Sequence, residues 1–115
     1  METEIFKYAY SITGISSKIW LSKQFKNVYS YIQYFGIFLD DIEAKKAVEE
    51  NWCDINEGGF YDYIVIEQIV LNSIYFIHPK QKITNQIWFH WSDSNDKYEI
   101  CDQPDWSIGI SRWLS

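Results

Sequence analysis

Gly58-Gly59-Phe60-Tyr61-Asp62-Tyr63-Ile64-Val65-Ile66-Glu67-Gln68-Ile69-Val70-Leu71 is the longest run of strand chemistry in the chain. Phe60, Ile64, Ile66 and Val70 share one parity, and Tyr61, Tyr63, Val65, Ile69 and Leu71 share the other. Both faces are apolar and rich in β-branched and aromatic residues, so the run predicts a central strand covered on both sides. The two glycines before it predict a turn with positive φ and mark where the strand begins. Glu67 interrupts one apolar face. A carboxyl buried there is held toward its neutral form and could act as an acid or base; the structural alternative places it at the rim or on a tyrosine hydroxyl. Asp62 carries the same two readings.

Downstream, Asn72-Ser73 suggests a turn into a short strand over residues 74–77, and residues 78–82 read as a polar loop stopped by Pro79. Gln86-Ile87-Trp88-Phe89-His90-Trp91-Ser92, Asp93-Ser94-Asn95-Asp96 and Lys97-Tyr98-Glu99-Ile100-Cys101 then read as strand, polar loop and strand of a hairpin. Pairing Ser92 with Lys97 sets Trp91 against Tyr98, His90 against Glu99, Phe89 against Ile100 and Trp88 against Cys101. Ile87, Phe89, Trp91, Tyr98 and Ile100 fall on the expected core face, with Trp88, His90, Glu99 and Cys101 on the other. After Pro104 the tail holds Trp106, Ile108, Ile110, Trp113 and Leu114, and so much apolar surface predicts that it docks back on the domain.

Upstream, residues 4–12 alternate Phe6, Tyr8, Tyr10 and Ile12 with Lys7, Ala9 and Ser11, which predicts a strand with one wet face, ended by Gly14. Residues 15–26 lean to a short helix or irregular loop with Ser16 or Ser17 as its cap. Residues 28–38 predict a second strand, interrupted near Gly36. Asp40-Asp41-Ile42-Glu43 has the form of a capping box, with Asp40 as N-cap and Glu43 three residues on. The helix it starts runs to about Asn51, placing Ala44, Ala47, Val48 and Trp52 on one side and Lys45, Lys46, Glu49 and Glu50 on the other. The sum is one α+β domain spanning residues 1–115: a mostly antiparallel sheet of about five strands with one amphipathic helix packed on it.

The net charge is −6, but residues 1–39 carry +2 and the rest of the chain −8. An acidic body counts against nucleic acid, whose phosphates need clustered Lys and Arg. It suits docking on a basic surface of another protein, as well as plain solubility. Glu2 and Glu4 stand where a secretion signal would be basic, and no apolar run approaches the roughly 20 residues of a membrane span, so the expectation is a cytoplasmic protein without membrane contact. There the two cysteines, Cys53 and Cys101, are expected as free thiols.

No metal-ligand spacing, phosphate loop or nucleophile motif is present, and no cofactor is expected. Asp54-Ile55-Asn56-Glu57-Gly58-Gly59 starts like a calcium loop, but position twelve is Val65, not an acid. The aromatic excess, 6 Trp and 9 Tyr, is more than one small core absorbs. Trp88 is the focus. Exposed, it would be a hot spot for a protein or a stacking platform; covered by the tail, it would be ordinary packing. The candidate binding residues are therefore Trp88, His90, Glu99, Trp106 and Trp113. His90 and Glu99 also read as a surface ion pair, and His90 with Cys101 as a conceivable Cys/His pair.

The run Gly36-Ile37-Phe38-Leu39-Asp40-Asp41-Ile42-Glu43-Ala44-Lys45-Lys46-Ala47, followed by Gly58-Gly59-Phe60 and Val65-Ile66-Glu67, resembles small uncharacterised bacterial and phage proteins in which a strand end leads into a capped helix with paired alanines. The resemblance covers residues 36–67, implies a bacterial or phage origin, and transfers no catalytic residue. The leading functional expectation is a small acidic protein-binding module of the inhibitor, immunity or anti-defence kind. The alternative is an aromatic pocket near Trp88, Trp106 and Trp113 for a nucleotide or sugar. An enzyme resting on Glu67, or on His90, Glu99 and Cys101, comes third. A homodimer through a sheet edge or the Trp88 face is also open.

Overall fold

The computed structural model describes residues 8–23, 31–70 and 86–107. Five antiparallel strands form one sheet in the order β2-β1-β3-β4-β5, where β1 is Tyr8–Ile15, β2 Ile32–Phe38, β3 Tyr63–Val70, β4 Gln86–Ser92 and β5 Lys97–Cys101. The fold is α+β. Helix α1 (Ser17–Ser22) lies between β1 and β2, and α2 (Asp41–Glu50) and α3 (Trp52–Asn56) lie between β2 and β3. Among the described residues no helix is long and apolar enough to cross a membrane.

β3 is central, as its two apolar faces require, but it begins at Tyr63 rather than Phe60. Gly58 and Gly59 do adopt positive φ, +69° and +97°, yet they close a 3₁₀ turn after α3 instead of opening the strand. One face of β3 packs Ile64 and Ile66 with Ile12, Phe89 and Tyr98 under Ala44 and Val48 of α2 and Ile55 of α3. Val65, on the opposite face, packs with Ile15, Ile32 and Trp88, against which Trp20, Tyr31, Tyr63, Cys101 and Trp106 lie.

α2 starts where the Asp40 carboxylate accepts from the amides of Ile42, at 2.7 Å, and Glu43, at 3.2 Å. The acidic first turn also suits the helix dipole. Trp52 opens α3 instead of extending the buried side of α2.

β1 corrects the sequence reading twice. Gly14 does not end it, and neither face is wet: Ser11 and Thr13 are buried along with Ile12 and Ile15. Gly14 pairs with Gln33 on one side and Ile64 on the other. It lies close beneath the Phe35 and Tyr61 rings, which is why the position takes no side chain. The interruption expected near Gly36 is a bulge: Ile12 pairs with Gly36 and Thr13 with Tyr34, leaving Phe35 as the extra residue.

The hairpin register is the expected one at all five pairs. Ile100, expected in the core, is 70% exposed, because β5 is an edge strand and Ile100 lies beyond the helical cover. The readings made for residues 4–7, 24–30 and 71–85, and for Ile108, Ile110, Trp113 and Leu114, lie outside the described residues.

Candidate functional site

β4 and β5 place Trp88, His90, Glu99 and Cys101 on one face of the sheet, as their parity requires. His90 and Glu99 are exposed on that face, but at Trp88 it is closed. Trp88 is 2% exposed, so it is no surface hot spot. Its indole N–H donates to the Gln86 side chain at 3.0 Å, and its ring meets Tyr63 edge-on. Tyr63 also meets Trp106 edge-on, at 5.1 Å between centroids, and carries the His90 ring at 4.5 Å. The cover comes from both ends of the described chain: the Trp20 indole of α1 donates to the Trp106 carbonyl at 3.0 Å and packs on Tyr31. Lys23 lies over the Trp20 ring, its ammonium 4.3 Å from the ring centre.

The helical cover is anchored by Asp62. Its carboxylate accepts from the Ser17 amide at 2.8 Å and from the Ser17 hydroxyl, capping α1 in place of Ser16, whose side chain makes no cap bond. The Asp62 carbonyl meanwhile accepts from the Trp91 amide at 2.9 Å, so one residue ties α1 to the hairpin. Neither local spacing nor composition marks this contact, because the partners are 45 residues apart.

The His90–Glu99 ion pair is not made. His90 lies on Tyr63, and the Glu99 carboxylate accepts from the Asn95 side-chain amide of the hairpin loop at 3.2 Å. Burial, and then the Asp102 carboxylate, pushes the Cys101 thiol up, away from a nucleophilic thiolate. Glu67 is buried at 4% exposure, not at the rim, and its carboxylate accepts from the Gln86 side-chain amide at 2.8 Å. Ser11, its neighbour on β1, has a buried hydroxyl with no hydrogen-bond partner. Among the described residues no three His, Cys, Asp or Glu side chains are placed to hold a metal.

Sequence reasoning missed a second aromatic group, on the helical side. Trp52 of α3 packs on Trp91 of β4 at 5.3 Å, and Trp91 lies edge-on to Tyr98. The Trp91 indole donates to Asp93 at 2.8 Å. Below them the Tyr98 hydroxyl donates to the Tyr61 carbonyl at 2.6 Å and accepts from Asn56 at 3.5 Å. Trp52 remains 37% exposed, with exposed Ile100 on the same side of β5 as Tyr98. The chain around them is acidic: Glu49, Glu50, Asp54 and Glu57 come from the helical segment, Asp93 and Asp96 from the hairpin loop. The signal available in sequence was the parity of Trp91 together with the acidic loop beside it.

Comparison with protein-family models, with curated proteins and with solved structures found no match to this chain.

Proposed function

We propose that this protein acts by binding another protein of basic surface, through the helical side of its hairpin end. Trp52 and Trp91 form the aromatic centre of that surface, Ile100 extends it, and Asp54, Asp93 and Asp96 flank it. The exposed Trp52 on a ring-packed, hydrogen-bonded Trp91 is the observation that carries the reading. Such a ring is held in place before any partner arrives, so little side-chain freedom is lost on binding, and surrounding carboxylates favour a partner bearing Lys and Arg. Binding that masks a working basic surface is inhibition, so an inhibitor, immunity or anti-defence role fits this chemistry, as does a bacterial or phage setting and a cytoplasmic site of action.

The aromatic-pocket alternative loses ground because Tyr63 packs edge-on against both Trp88 and Trp106, the Trp20 indole donates to the Trp106 carbonyl, and the Trp88 indole donates to Gln86. The test is affinity capture from the producing cell with the wild type and Trp52→Ala side by side. The retained protein is identified, purified and titrated. Truncating a hot-spot tryptophan costs about 2 kcal/mol or more, roughly a thirtyfold loss of affinity, and raising the salt weakens a charge-matched complex further. Equal retention by both chains, no retained protein, or affinity indifferent to salt would overturn the reading.

A further inference from the structure

The two edges of the sheet are built differently. β5 is five residues long and alternates Lys97 and Glu99 along its outward row, the usual protection against pairing with another strand. β2 has no such guard. Residues 31–39, Tyr-Ile-Gln-Tyr-Phe-Gly-Ile-Phe-Leu, hold no charge and no proline, in a chain of net charge −6. Ile37 is 59% exposed and Leu39 52%, and Ile42 in the first turn of α2 is more exposed still. Three large aliphatic side chains thus stand in water within six residues of chain: Ile37 on the one uncharged strand edge among the described residues, Leu39 just past its end and Ile42 on the helix that follows.

We infer that this edge is a self-association surface, and that its occupant is β2 of a second copy paired antiparallel about a two-fold axis near Ile37. The charge distribution argues for a copy. Two chains of −6 repel, and the acidic helices and hairpin loop bring carboxylate against carboxylate, whereas β2 brings none. Antiparallel pairing about Ile37 sets Phe38 opposite Gly36 and carries Asp40 of one copy to the level of residue 34 of the other. The two Asp40 residues then lie about 20 Å apart at roughly 3.3 Å per residue, beyond the screening length of physiological salt. The bulge at Phe35 bends the strand and confines the ladder to residues 36–38, so Ile37 and Leu39, which share a parity, supply most of the buried surface. Such an interface is closed, because the edge is used up once paired, and it is small, so the dimer is weak and reversible. This inference stands apart from the Trp52 surface, which lies toward the opposite edge of the sheet.

Sedimentation equilibrium from about 10 μM to about 1 mM tests it, since a small interface dissociates within that range. The wild type is expected to pass from monomer to dimer, with association holding or strengthening as salt rises and the mutual repulsion is screened. Ile37→Lys places like charges face to face on the axis and should raise the dissociation constant at least about tenfold. Leu39→Lys gives a second variant at an exposed position, and Ile100→Lys on β5 should leave the dimer unchanged. Concentration-dependent slowing of amide exchange at residues 36–38 of the wild type reads the same contact without any substitution. A monomer throughout, association that weakens with salt, or dimerisation by Ile37→Lys equal to the wild type would overturn the inference. The salt response also separates it from binding of a basic partner, which moves the other way.

Discussion

Replacing Gly14 by alanine puts a methyl group where two aromatic rings already are. The added carbon would lie 2.5 Å from Cε2 of Phe35 and 3.3 Å from Cγ of Tyr61. Carbon atoms rest at about 3.5–4.0 Å, so the Phe35 ring must retreat by about 1 Å. It cannot do so alone, because Phe35 is packed edge-on against Tyr61 at 5.6 Å, and Tyr61 in turn against Phe60 at 4.7 Å. Overpacking of this kind costs about 1–3 kcal/mol, and the lower entropy of an unfolded alanine returns about 0.4–1 kcal/mol. The expected net loss is about 1–2 kcal/mol, or about 4–10 °C in melting temperature for a domain of this size. Urea unfolding of Gly14→Ala, Phe35→Ala and the double variant isolates the cause. With the Phe35 ring gone the alanine should cost nothing, giving a coupling of about 1–2 kcal/mol between the sites. An alanine that destabilises equally in both backgrounds would refute the clash and place the effect in the strand backbone.

Alkaline pH should weaken the fold through Tyr98. Burial pushes its hydroxyl from 10.0 up to about 12, so the neutral form belongs to the folded state. Its contribution is complete below pH 10 and is lost as the pH rises toward 12, a decline of about 2–3 kcal/mol. Tyr31, Tyr61, Tyr63 and Cys101 are raised in the same direction and add to it. Tyr98→Phe should flatten much of the decline in urea titrations between these pH values, and an unchanged slope would show that Tyr98 is not its source. Asp62→Ala removes the acceptor of both Ser17 bonds and should cost about 2–3 kcal/mol, with the Ser17 amide exchanging faster in hydrogen-exchange NMR. Unchanged protection there would mean that α1 is held by its Trp20 contacts alone.

What could be read ahead of the structure was set by near neighbours. Asp40 needed only the amides two and three residues on, and the hairpin register needed only the loop that closes it. Both are local geometry, and both stand. The central placement of β3 followed from its two apolar parities. The fate of Trp88 was different, because parity shows which face a side chain takes and not what lies over that face. Its cover joins Trp20 to Trp106, 86 residues apart. The wet face expected of β1 failed for a related reason: Ser11 and Thr13 read as surface residues, yet β1 is covered on both sides there. His90 and Glu99 were paired correctly, but each found another partner, a choice decided by ångströms that a register does not contain.

The Trp20–Trp106 contact also bears on the order in which the chain is made. A chain made as far as Cys101 holds the five strands and three helices of the described residues, and every described residue of the core under α2. The opposite face is not complete. Until Trp106 follows, Tyr63 lacks its edge-on partner and the Trp20 indole lacks its acceptor. A chain cut short between Cys101 and Trp106 would therefore have one described side complete while the other still shows tryptophan. A ribosome stalled only a few codons early leaves a product marked in that way, with a nearly finished fold and an aromatic surface of the kind that chaperones and proteases bind.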